Sequence, residues 1–93
     1  TDNEILSRSI LSQVADSMLT IKGVEAAFVI AKISDSQTAI SARSRGRINV
    51  QVIMERMHGG GHLSAAALQR ENTKVEDLRT ELITTLDEVI KEE

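Results

Sequence analysis

Two short segments hold the residues best suited to chemistry. One is Ser41-Ala42-Arg43-Ser44, followed at Asn49 by a short helical pattern; the other is His58-Gly59-Gly60-Gly61-His62, where that pattern stops. Arginine forks and unobstructed backbone amides are common means of holding a phosphate, and the two segments supply one each. Arg43 leads the candidates because a strand end would fix its planar guanidinium for bidentate contact. Ser41 and Ser44 add hydroxyl donors beside it, and Arg45 and Arg47, flanking Gly46, add positive potential. Asn49 is placed to cap the helix, which would turn the positive helix end toward the same anion. Gly59, Gly60 and Gly61 are expected to gather their amides into one concavity, with His62 beside them as a donor to a ligand oxygen. His58, at the helix end, suits the negative end of the dipole.

The same inventory excludes a good deal. No Ser/His/Asp set, catalytic carboxylate pair or Walker-type lysine loop is present, so bond breaking by this chain alone is not expected. Two histidines without any cysteine are too few ligands for a self-contained metal centre of ordinary type. The net charge of −3 argues against general affinity for a nucleic-acid backbone. Yet no acidic residue lies between Asp35 and Glu55, while Arg43, Arg45 and Arg47 do, which favours capture of a small anion. Phe28 is the sole aromatic residue, so a base-stacking sheet is disfavoured. The longest apolar run, Ala26 to Ala31, is too short to cross a bilayer as a helix. The chain opens at Thr1 without methionine, as expected of a piece of a larger protein.

The elements that must position these residues follow from hydrophobic periodicity. Leu6, Ile10, Leu11, Val14, Ala15 and Met18 recur at helical spacing from Glu4 to Leu19, and Thr1 with Glu4 has the spacing of a capping box at its start. After Gly23, apolar residues on both alternating sets of Val24 to Ile33 predict a central strand covered on both faces. Ser34-Asp35-Ser36 turns the chain into a second strand, Thr38 to Arg43, in an antiparallel hairpin that delivers Arg43 at its end. Val50, Ile53, Met54 and Met57 mark one face of the helix capped by Asn49. A third strand is expected around Ala66 to Arg70. Thr73 and Glu76 then suggest a capping box for a last long helix carrying Val75, Leu78, Leu82, Leu86, Val89 and Ile90. The expected fold is α+β, a small mixed sheet of three to five strands packed with three helices in one domain over residues 1–93.

Taken together, Ser41-Ala42-Arg43-Ser44, Asn49-Val50, Gly59-Gly60-Gly61-His62 and the small-residue stretch Ser64 to Ala67 resemble the DHH-associated C-terminal domain of DHH-superfamily phosphoesterases, over essentially the whole chain. Within that superfamily the likeness is strongest to the GdpP type of cyclic-di-AMP phosphodiesterase. The resemblance implies a substrate-binding domain, with Arg43, Ser44, Asn49, Gly59, Gly60, Gly61 and His62 as substrate contacts and no catalytic or metal-binding residue of its own. It further implies a preceding DHH domain that holds two manganese ions, a cyclic dinucleotide hydrolysed to pApA, and a cytoplasmic location in a parent anchored in the bacterial membrane. This chain departs from many relatives at His58 and Ala67, where they carry glycine. Rival readings are a short-oligonucleotide exonuclease or pAp phosphatase of the same superfamily, a non-catalytic nucleotide- or RNA-binding module, and an interaction domain. Homodimer formation is left open by the residues.

Overall fold

A computed structural model of the chain describes residues 5–92. Its elements are α1 (Arg8–Met18), β1 (Ala26–Lys32), β2 (Gln37–Ser44), α2 (Val50–Arg56), β3 (Gly60–His62), β4 (Ala65–Glu71) and α3 (Val75–Lys91). This is the α+β class expected from the sequence. The strands form one sheet in the order β1-β2-β4-β3, and every pairing between them is antiparallel. A single parallel bridge joins Ile5 to Lys32, beside β1.

Alternation along the strands splits the sheet into two faces. Ile40 and Ala42 of β2, with Ala66 and Leu68 of β4, meet Val50, Ile53, Met54 and Met57 of α2 and Leu78 and Leu82 of α3, which form the main core. The expected apolar face of α2 is thus fully used. On the other face Ala27, Ala39 and Ser41 lie beneath α1, whose Leu11 and Ala15 are buried. Helix α1 packs mainly on β1 and β2 and meets β4 through Arg8, which donates to the Gln69 side chain, so most of the β4 and β3 part of this face is uncovered, and Ala67 and Gln69 stand exposed there.

Several expectations need correction. Helix α1 starts at Arg8 with Ser7 as its cap, the Ser7 hydroxyl accepting from the Ile10 N–H at 3.2 Å. Leu6 instead donates its N–H to the Lys32 carbonyl, which holds Ile5 and Leu6 alongside β1. The capping-box pair Thr1 and Glu4 lies outside the described residues. The Val24–Ile33 segment supplies an edge strand, β1, because an apolar pattern on both sets reports covered faces and says nothing of lateral position. The interior positions belong to β2 and β4, and β2 is buried without a break from Thr38 to Ala42. At α3 the capping box does not form: the Thr73 hydroxyl donates to the Glu71 carbonyl, and Lys74 is the cap residue without a side-chain bond. The strand β3 was not expected at all.

Candidate functional site

Register brings the two chemistry-bearing segments together. Arg43 pairs with Ala65, and Ala65 pairs with His62, so the three form one cross-strand row, with His62 and Arg43 on either side of a methyl group. The next row is Ser41, Ala67 and Gly60. Directly opposed residues share a face. That face is the one bearing α1, since the Arg43 Nε lies 3.1 Å from Asp16 Oδ1 on that helix. The result is an arginine and a histidine flanking a floor of alanine and glycine, walled on one side by α1. The floor is open because its residues have almost no side chain.

Arg43 is partly buried, with its side chain 21% exposed. Besides Asp16, its Nη1 donates to the Ala42 carbonyl at 2.9 Å. These two contacts aim the guanidinium along the sheet and leave Nη2 for an incoming oxygen. Asp16 was missed by sequence reasoning. Its signal was the row Arg8, Ser12 and Asp16, spaced by four on α1 and adjacent to the buried Leu11 and Ala15.

The glycine run has a conformation other than a concave nest. Helix α2 ends at Met57, and His58 adopts a left-handed conformation, φ 69°. The His58 N–H donates to the Glu55 carbonyl at 3.0 Å and the Gly59 N–H to the Met54 carbonyl at 2.7 Å, which is the Schellman arrangement. The chain then runs extended as β3, where successive amides point in alternating directions rather than into one hollow. Two of the glycines are dictated by proximity. A Cβ on Gly59 would lie 2.4 Å from the Ala67 carbonyl oxygen, and one on Gly61 would lie 2.4 Å from the Ala66 Cα. A Cβ on Gly60 would meet nothing within 4 Å.

The remaining expected contacts sit elsewhere. Ser44 is buried on the opposite face, and its hydroxyl accepts from the Gly46 N–H at 2.9 Å, shaping the loop after β2. Asn49 caps α2 as expected, accepting from the Val52 N–H at 3.2 Å. The Val50 N–H donates to the Leu63 carbonyl, so the start of α2 is tied to the turn that follows His62. Arg45 is committed to the backbone: its Nε donates to the Val24 carbonyl at 2.9 Å and its Nη2 to the Leu19 carbonyl at the end of α1. Among the described residues no group of three or more His, Cys, Asp or Glu is arranged to hold a metal ion. These described residues therefore do not fit a metal centre. No helix among them is long and apolar enough to cross a membrane.

Comparison with known proteins adds independent information. The DHHA1 domain family matches residues 3–92. The chain is 48% identical over 81 residues to the cyclic-di-AMP phosphodiesterase GdpP of Geobacillus thermodenitrificans and 40% identical over 87 residues to that of Bacillus subtilis, matches covering 87% and 94% of the chain. It is 61% identical over 69 residues, 74% of its length, to a membrane protein–large ribosomal subunit bL9 fusion protein of Aster yellows witches'-broom phytoplasma. The matched stretch spans only 12%, 13% and 8% of those three relatives, in that order.

Proposed function

Because the chain belongs to the DHHA1 domain family, we propose that it is the substrate-gripping domain of a cyclic-di-AMP phosphodiesterase, and that Arg43 and His62 hold a phosphate of the dinucleotide over the floor that Gly60 leaves free of side chain. The observation that carries this reading is the row Arg43–Ala65–His62 on an open part of the sheet. Donors stand at both ends of that row, and nothing larger than a methyl group lies between them. An anion resting on the floor meets the free Arg43 nitrogen from one side and the imidazole from the other, while Asp16 and the Ala42 carbonyl prevent the guanidinium from swinging away. Ser44 and Asn49 serve this site indirectly, by shaping the loop after β2 and the start of α2.

In this reading the hydrolysis to pApA belongs to a DHH domain outside the chain, which by family resemblance would hold manganese ions to activate water, and a membrane anchor likewise belongs to the rest of the parent. The domain described here contributes orientation. In the full-length protein supplied with manganese, Arg43→Ala is expected to lower kcat/KM for cyclic-di-AMP by about 10- to 100-fold, the equivalent of one lost charge-assisted hydrogen bond. Unchanged turnover would overturn the assignment. A panel of cyclic-di-AMP, pApA, pAp and short RNA ranks the dinucleotide against the rival substrates of the superfamily.

A further inference from the structure

Beside the proposed phosphate row lies a hollow of about 210 Å³ between the first turns of α1 and the exposed flank of β4, lined in part by Arg8, Ser12, Ser41, Ala67 and Gln69. We propose that it is a nucleobase subsite, built for the base attached to the phosphate that Arg43 holds; this rests on the phosphate reading above. Three observations converge on a planar, hydrogen-bonding ring. The floor is apolar, made by Ala39 and Ala67 on the sheet, and Ala67 stands exposed beside α1, which packs mainly on β1 and β2 and meets β4 through Arg8 and Gln69. Polar groups stand only around it. The hydroxyls of Ser12 and Ser41 lie 3.0 Å apart, and Ser41 is only 4% exposed. One proton satisfies that pair, which leaves the second hydroxyl proton and lone pairs for a third partner. Across the hollow the Gln69 carboxamide oxygen accepts from Arg8, which fixes the amide and leaves its NH₂ group as a donor. An aliphatic guest would strand these groups, whereas a heteroaromatic ring with acceptor nitrogens and an exocyclic amine satisfies them.

Position supports the same occupant. Ser41 is two residues before Arg43 on β2, so the hollow begins about 7 Å along the strand from the phosphate row. A nucleotide lying along β2 with its phosphate at Arg43 therefore sets its base down between Ser41 and Gln69.

The test is titration calorimetry on the full-length protein with AMP and ribose 5-phosphate as probes, which share a phosphate and differ in the base. The wild type is expected to bind AMP at least tenfold more tightly. Gln69→Leu and the cavity-filling Ala67→Leu, both at exposed positions, are each expected to erase that preference, and Gln69→Leu, which lies outside the phosphate floor, is expected to leave ribose 5-phosphate affinity unchanged. Arg43→Ala is expected to weaken both probes equally. If AMP holds no advantage in the wild type, or if both substitutions leave its advantage intact, the subsite is refuted whatever Arg43→Ala does. If Arg43→Ala alters neither probe while Gln69→Leu still weakens AMP, the phosphate reading fails and the base subsite stands.

Discussion

His58 pays a conformational penalty that a glycine at this position would avoid. A non-glycine residue with φ 69° stores about 1–2 kcal/mol, partly offset because glycine loses more freedom on folding. His58→Gly is accordingly expected to raise stability by about 0.5–1 kcal/mol, read as a higher urea midpoint with an unchanged slope. A lower midpoint would mean that the imidazole makes a contact outweighing the strain. The glycines that follow divide by steric room. Gly61→Ala drives a Cβ into the Ala66 backbone and is expected to detach β3, whereas Gly60→Ala meets open space and should leave the midpoint within about 0.5 kcal/mol of the parent. If the floor beside Gly60 receives the phosphate, Gly60→Ala nonetheless raises KM in the full-length enzyme. Asp16 gives a different signature at the same site. Its carboxylate is 62% exposed and competes with the incoming anion for Arg43. Asp16→Asn keeps an acceptor for Nε and removes the competing charge, so KM should fall about two- to fivefold with kcat unchanged. A parallel loss of kcat would show that the charge itself is needed to aim the guanidinium.

At the scale of elements, β4 is fastened to both covering helices by one side chain. Arg70 donates to Glu81 of α3 at 2.8 and 3.0 Å and to the Met57 carbonyl at the end of α2 at 2.9 Å. The hydrogen bonds from Arg70 hold the Glu81 carboxyl below the usual glutamate range, with burial opposing and the Arg70 charge assisting. A carboxylate with a lowered folded value stabilises the fold above its unfolded value and stops doing so as pH falls through the folded one. The contribution should be complete above about pH 5 and fade below about pH 4. Because Glu81 is 41% exposed, solvent screening limits it to about 1 kcal/mol or less. Glu81→Gln should flatten that part of the acid-stability curve; an unaltered curve would mean the pair contributes nothing. The legibility of these elements in the sequence followed a physical rule. Helix α2 and its Asn49 cap were readable because four apolar residues at helical spacing all enter one core. Strand β3 was not, because three residues of glycine and histidine carry no alternation, and its existence depends on the close approach of β4. The edge position of β1 was hidden for a related reason: burial patterns record what lies above and below a strand, whereas its lateral neighbours are chosen by pairing. Arg43 and the glycine run were legible as site candidates by residue type, but the register that makes Arg43 and His62 neighbours belongs to the folded sheet.

For the molecule as a whole, the two sheet faces are put to different uses. One carries α2 and α3 and nearly all of the large buried side chains; the other is closed by α1 over β1 and β2 and left open over β4 and β3. Stability thus resides largely on the face opposite the proposed site, which lets the open face keep small residues and a hollow without endangering the core. The same division separates folding from metal chemistry, since the described residues bring no cluster of metal-binding side chains together. Chelation by EDTA is therefore expected to leave the unfolding midpoint of this 93-residue chain unchanged, while, on the function proposed above, it abolishes cyclic-di-AMP hydrolysis by the full-length protein and added manganese restores it. Ligand binding at this domain should survive chelation in part, because Arg43 and the sheet floor need no cation to meet a phosphate. A drop in the midpoint of the chain on chelation would mean that the domain itself holds a metal ion, and the division of labour between gripping here and hydrolysis elsewhere would have to be abandoned.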